Sequence, residues 1–125
     1  MIDQTRRAAR VFKTAWFAKA ARKALIADGE LCLAIRQVME GQADDLGGGV
    51  FKKRLDKNRS RSIILAKGGQ RWVFEYLFAK KDRANIEDSE LAKLRKLAKA
   101  YEVLTEHEAN ELIGEGWWME ICNGD

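Results

Sequence analysis

The run Gly47-Gly48-Gly49 constrains this chain more than any other feature. Three consecutive glycines end helical order, because glycine gives up more backbone freedom in a helix than any other residue. The apolar pattern changes across them. Before the run, Leu31, Ala34, Ile35, Val38 and Met39 recur at helical spacing and share one face. From Val50 onward the side chains alternate. Phe51, Lys53 and Leu55 share one side; Val50, Lys52 and Arg54 share the other, which is the period of a strand.

The flanking segments extend this reading. Ala15 to Ala27 is rich in helix formers, and Asp28-Gly29 is expected to break that helix, with the aspartate capping the next. Gly41 is a stop, and so short a break predicts an antiparallel helical hairpin. Asp56 to Ser60 is a polar turn, Arg61 to Lys67 a second strand, Gly68-Gly69-Gln70 a hairpin loop and Arg71 to Lys80 a third strand. A third helix starts near Asp88 or Ser89, with Leu91, Leu94, Leu97, Ala98, Tyr101 and Leu104 at helical spacing. Thr105 and Glu108 have the spacing of a capping box, predicting a fourth helix that Gly114 and Gly116 end before a final strand over Trp117 to Cys122. Helices, then strands, then helices is an α+β order rather than alternating βαβ. The expected fold is one domain over residues 1–125: a small antiparallel sheet of 3–5 strands, an N-terminal helical hairpin packed on it, and C-terminal helices.

A chain of 125 residues buries a sufficient core without staples. Cys32 and Cys122 have no metal-ligand spacing and are expected to be free thiols. Met1 to Arg10 reads as a polar arm without the apolar stretch of a secretory signal. No apolar run approaches the roughly 20 residues that span a bilayer. The expectation is a cytoplasmic protein with no membrane partner.

Charge is distributed unevenly. Residues 49–83 carry 11 Lys/Arg against 3 Asp/Glu, whereas residues 84–125 carry 4 against 10. A charge run is ordinarily a solvated face. Here the excess is large, confined to one stretch with few acids, and spread over adjacent strands that a sheet gathers together. Those features point to a polyanion partner. The cations are Lys52, Lys53, Arg54, Lys57, Arg59, Arg61, Lys67, Arg71, Lys80, Lys81 and Arg83. Trp72, Phe74, Tyr76 and Phe78 alternate along the third strand; the first two are assigned to the core, and Tyr76 and Phe78 are candidates for base stacking. His107, the only histidine, is expected on an exposed helix, which excludes a two-histidine acid–base pair. One histidine and two distant cysteines argue against a zinc site. Ser60 and Ser62 lack a base partner, and the glycine run is not followed by the lysine of a phosphate-binding loop. Asp82, between Lys81 and Arg83, is the carboxylate placed to accept a proton from a hydroxyl.

The segments GGGVFKKRL, RSIILA, VFEYLFAKKDRANI and SELAKLRKLAK, preceded by two helices, resemble the RelE/ParE superfamily of type II toxins, with the HigB-like RelE-type branch nearest. The likeness spans about residues 11–104, and its strongest piece is FAKKDRANI followed by the leucine-rich helix. The resemblance implies a ribosome-dependent mRNA endonuclease that inhibits translation, using neither metal nor cofactor. The partners would be mRNA on the ribosome and an antitoxin of helix-turn-helix type. Carried over by motif, Arg54 and Arg61 would hold the scissile phosphate and Lys80 would activate the hydroxyl or stabilise the leaving group. Asp82 would be a reserve base, and Lys52 would position the backbone. Lys53, Lys57, Arg59, Phe78, Lys81 and Arg83 complete the expected RNA surface. Two other readings remain open: a ParE-like toxin that binds DNA gyrase, and an RNA-binding module without catalysis. Relatives often have a longer basic loop before the position of Arg61 and Lys-Asn-Glu in place of Lys80-Lys81-Asp82, and Trp117-Trp118 lies beyond the common core.

Overall fold

A computed structural model describes residues 9–122. The expected N-terminal arm lies outside the described residues except for Ala9 and Arg10, and Arg10 opens the first strand. The elements run β1 (Arg10–Thr14), α1 (Ala15–Lys23), α2 (Asp28–Met39), β2 (Asp44–Asp45), β3 (Val50–Leu55), β4 (Ser60–Leu65), β5 (Arg71–Ala79), α3 (Asp88–Glu102), α4 (Glu106–Gly114) and β6 (Trp118–Ile121). The strands form one sheet in the order β2-β3-β4-β5-β1-β6. The α+β class holds. β3, β4 and β5 form an antiparallel meander, but the sheet as a whole is six-stranded and mixed rather than an antiparallel sheet of 3–5 strands, because β1 pairs in parallel with β5. Parallel pairing of distant segments needs no tight turn, so it leaves no local signature to read.

Helices cover both faces. On one, α1 lies against β5 and α2 against β3, and Phe17, Ala21, Leu31, Ile35 and Val38 pack with Leu55, Ile64, Phe74 and Leu77. The expected hairpin is thus two helices each seated on its own strand. On the other face, Leu91, Leu94 and Leu97 of α3 pack beside buried Ala98 over Val50, Ile63, Leu65 and Phe78. Ala109 of α4, with Leu112 and Ile113 beside it, closes over Phe12, Val73 and Trp118. Burying the third strand on both faces gives its near-continuous apolar run.

Local caps set the helix ends. The Thr14 hydroxyl accepts from the Phe17 N–H at 3.0 Å and starts α1. The α1–α2 break falls earlier than expected. Leu25 takes the left-handed conformation (φ 59°), Ala27 is the N-cap, and Asp28 and Gly29 are already helical. Asp28 therefore acts as a first-turn anion facing the helix dipole, not as a cap. The Thr105/Glu108 capping box forms as read, and Glu87 with Glu90 makes a second at α3. Gly49 is required by close approach: at φ 85°, a Cβ there would sit 2.7 Å from the Lys67 backbone.

Two local features depart from the sequence reading. In the β4–β5 ladder Ile63 pairs with Tyr76 but Ile64 with Phe74, so Glu75 is an extra residue, a bulge. The bulge reverses the alternation. Trp72, Phe74 and Leu77 face α1 and α2, while Tyr76 and Phe78 face α3. The four aromatics therefore do not line one face. Glu75 accepts a hydrogen bond from the Tyr101 hydroxyl at 2.8 Å, and burial raises its carboxyl above the usual range. Secondly, Cys32 and Cys122 are not free thiols. They are bonded, with Cα atoms 5.5 Å apart, tying α2 to the residue after β6. Their sequence separation of 90 hid the pairing, since only the sheet order brings them together.

Candidate nucleic-acid interface

Strand alternation sorts the basic residues. Phe51 and Leu55 belong to the α1/α2 face and Val50 to the α3 face. Lys52 and Arg54 therefore share the α3 face, and Lys53 points the other way, donating to the Gln42 carbonyl at 2.8 Å. Lys53 thus leaves β3 on the opposite face from Lys52 and Arg54. On β4, Ile63 and Leu65 face α3, which places Arg61 on the same side as Lys52 and Arg54. Arg54 and Arg61 are directly opposed across the β3–β4 ladder.

Like charges directly opposed in a sheet are destabilising, and nothing among the described residues neutralises this pair. Arg54 is exposed. Arg61 is 8% exposed, and its Nη1 donates to the carbonyls of Asn58 (3.1 Å) and Ser60 (3.2 Å). The Asn58 carbonyl comes from a turn in which Asp56, Lys57 and Asn58 are all left-handed, and Ser60 opens β4 just after it. The turn fixes the guanidinium without cancelling its charge. A held guanidinium beside an exposed one, with no acid to compensate either among the described residues, favours an anion there.

Around it, other cations are occupied. Lys52 bonds Asn85 Oδ1 at 3.2 Å and lies 3.7 Å from Asp44. Arg83 makes a two-pronged pair with Glu90 (2.5 and 3.1 Å), reaches the Tyr76 hydroxyl at 3.3 Å, and lies over the Phe78 ring at 5.4 Å. The Arg83 guanidinium holds the Glu90 carboxyl well below the usual range, at about 2. Arg83 thus braces the wall of the site. Phe78 is buried beneath it and is not available to stack on a base, contrary to expectation.

The remaining predicted cations gather at the adjoining end of the sheet. Lys57, Arg59, Lys80 and Lys81 line a groove of about 730 Å³ whose floor includes Asn58, Ser60 and Ala79. Asn58 and Ser60, which hold Arg61, join the groove to the sheet-face pair. Arg59 is matched by Asp56 (2.8 Å), which draws the aspartate's carboxyl below its ordinary range. The ammonium groups of Lys57, Lys80 and Lys81 have no hydrogen-bond or ion-pair partner among the described residues. Asp82 is exposed in the following turn, its N–H donating to the Ala79 carbonyl at 3.0 Å. His107 is distant in role as expected: exposed on α4 and 3.6 Å from Glu111. Arg71, included in the basic set, is structural, its guanidinium capping α3 through the Tyr101 and Leu104 carbonyls (3.0 and 2.7 Å).

Sequence reading missed one wall. Trp16, Lys19 and Lys23 of α1 line an adjacent groove of about 520 Å³ that shares Ala24, Ser60 and Ala79 with the first. Their i, i+3, i+7 spacing was a signal in the sequence, but the alanine-rich helix around them masked it.

This arrangement can hold a polyanion along an open sheet end, with the exposed Arg54 beside the held guanidinium of Arg61. Residues 9–121 match the family described as the RelE toxin of the RelE / RelB toxin-antitoxin system. A search of curated proteins finds no match. With that family match covering nearly the whole chain, and a six-stranded α+β fold whose basic end faces outward, the protein belongs to the RelE toxin family of the RelE/ParE superfamily.

Proposed function

We propose that this toxin is an endoribonuclease that cuts mRNA, with the ribosome presenting the strand, and that it needs no metal. The observation that carries the reading is the opposed Arg54–Arg61 pair, with Arg61 held by the Asn58 and Ser60 carbonyls, Arg54 exposed, and no acid matched to either among the described residues. In phosphodiester cleavage the RNA 2′-oxygen bonds to phosphorus, the P–O5′ bond breaks, and a 2′,3′-cyclic phosphate and a 5′-hydroxyl result. The 2′-hydroxyl loses a proton and the departing oxygen gains one. Negative charge grows on the phosphoryl oxygens in between, and the guanidinium groups of Arg54 and Arg61 would meet it, the latter already held in place. In this scheme Arg54 and Arg61 hold the scissile phosphate. Lys80 faces the hydroxyl or the leaving oxygen, Asp82 takes the proton, and Lys52 positions the neighbouring backbone. Lys57, Arg59 and Lys81 attract the strand. The HigB-like placement rests on the motifs FAKKDRANI and SELAKLRKLAK.

Membership of the family implies a cognate antitoxin. We infer that it is a helix-turn-helix protein whose acidic segment covers the same cations. The test is induction of the toxin followed by mapping of mRNA 5′ ends at codon resolution, with plasmid supercoiling measured in parallel. Cuts phased to codons, lost in Arg54→Ala, are expected. Altered supercoiling with intact mRNA would replace this reading with gyrase inhibition, and RNA binding without cuts would leave a non-catalytic module.

A further inference from the structure

β1 accompanies β5 only from Arg71 to Phe74; beyond that register the chain turns into α1. The second half of β5 is therefore bordered by a helix rather than a strand, and a groove runs between them. One wall is α1, with Trp16, Lys19, Ala20, Lys23 and Ala24 on a single helical face. The other is Leu77, Phe78 and Ala79 with Ser60. Trp16 is 53% exposed although one face of its ring rests on Tyr76, with centroids 5.1 Å apart and planes at 30°. An indole braced from behind and open in front is a stacking platform. The ammonium groups of Lys19 and Lys23 have no hydrogen-bond or ion-pair partner among the described residues. The groove runs on through Ala24, Ser60 and Ala79 to Lys57, Lys80 and Lys81. The one acid along the whole path, Asp56, is taken by Arg59.

We propose that this α1–β5 groove is a track for single-stranded RNA flanking the cleaved phosphate, with a base stacked on Trp16 and phosphates held by Lys19 and Lys23. The proposal rests on the RNA reading above and extends it to a segment outside the proposed catalytic set. Two features favour a single strand over an acidic polypeptide. A flat ring beside a row of cations suits alternating bases and phosphates. The rise from Trp16 to Lys23, about 10 Å along the helix, places ring and cations in series along one strand rather than in one cluster. A duplex keeps its bases stacked on each other and cannot use the ring.

The experiment is fluorescence anisotropy with a fluorescein-labelled, fully 2′-O-methylated single-stranded RNA, which cannot be cleaved, titrated at several salt concentrations. Trp16→Ala is expected to weaken binding about tenfold, the contribution of one stacked base, and Trp16→Phe to recover part of it. The double change Lys19→Ala/Lys23→Ala, at exposed positions that leave the core intact, is expected to make the salt slope less negative by roughly 1.4, about 0.7 per phosphate. Unchanged affinity and slope in both overturns the track while codon-phased cleavage by the wild type still supports the nuclease. Weakened binding in both, with no cleavage by the wild type in a translating extract, keeps the track and removes the nuclease. If RNA binding is unaltered and a polyglutamate peptide instead loses affinity, the groove serves an acidic protein segment and the assignment to RNA falls.

Discussion

The two ends of the sheet carry arginines in opposed cross-strand positions, and they treat them differently. At one end Arg10 and Arg71 are register partners in the β1–β5 ladder. Arg10 is held by both oxygens of Glu120 (2.8 and 2.9 Å) and by Glu106 (3.2 Å), and Arg71 is spent on the carbonyls closing α3. Cys122 follows β6 at this end and is bonded to Cys32. At the other end Arg54 and Arg61 face each other with no acid between them, beside a turn of three left-handed residues. The first end spends its charge on stability. The second keeps its charge unspent, which lowers stability and leaves an anion to complete it.

Breaking the closed end has the largest expected effect. Opening the Cys32–Cys122 bond by Cys122→Ser or by reductant frees a loop of 90 residues, and the chain-entropy account puts the loss at about 4.6 kcal/mol. The urea midpoint should fall accordingly, and an unchanged midpoint would show that the bridge contributes nothing. At the open end, Arg54→Ala should lower mRNA cleavage about 100-fold or more, the roughly 2.7–4 kcal/mol of one preorganised donor. Its urea midpoint should hold or rise, because a repulsive neighbour is gone. A matching drop in stability would contradict the contrast between the ends.

Arg83 sharpens the comparison, since it lies at the open end yet is locked. Glu90 is held at about 2 against an ordinary 4.5. A depressed carboxyl contributes stability that is present above its unfolded value and lost as pH falls toward the folded one. The difference in urea midpoint between the wild type and Glu90→Gln should therefore be constant above about pH 5 and vanish between 4.5 and about 2. A difference independent of pH would mean that the pair is not the cause. The smallest effect is expected from Lys53→Ala. It is tied to the Gln42 carbonyl on the opposite face of β3 from Arg54, and its loss should weaken RNA affinity at low salt less than Lys52→Ala does.

Much of this molecule was legible before the fold was known. Period and punctuation determined the elements: the glycine run, the β3–β5 hairpins, the leucine stripe of α3 and the Thr105/Glu108 box are local patterns acting over a turn or two. The concentration of cations in residues 49–83 was likewise written in the chain. Tertiary structure decided what those cations are for. Strand alternation separated Lys53 from Lys52 and Arg54; the Glu75 bulge turned Phe78 toward α3; and the fold supplied Glu90 to Arg83 and carbonyls to Arg61. The parallel β1–β5 pairing and the Cys32–Cys122 bridge join residues far apart along the chain, so nothing near either partner announces the other. Local sequence sets which conformations a segment prefers. Whether a charge ends up neutralised or waiting for a ligand depends on which distant groups the sheet order carries to its side.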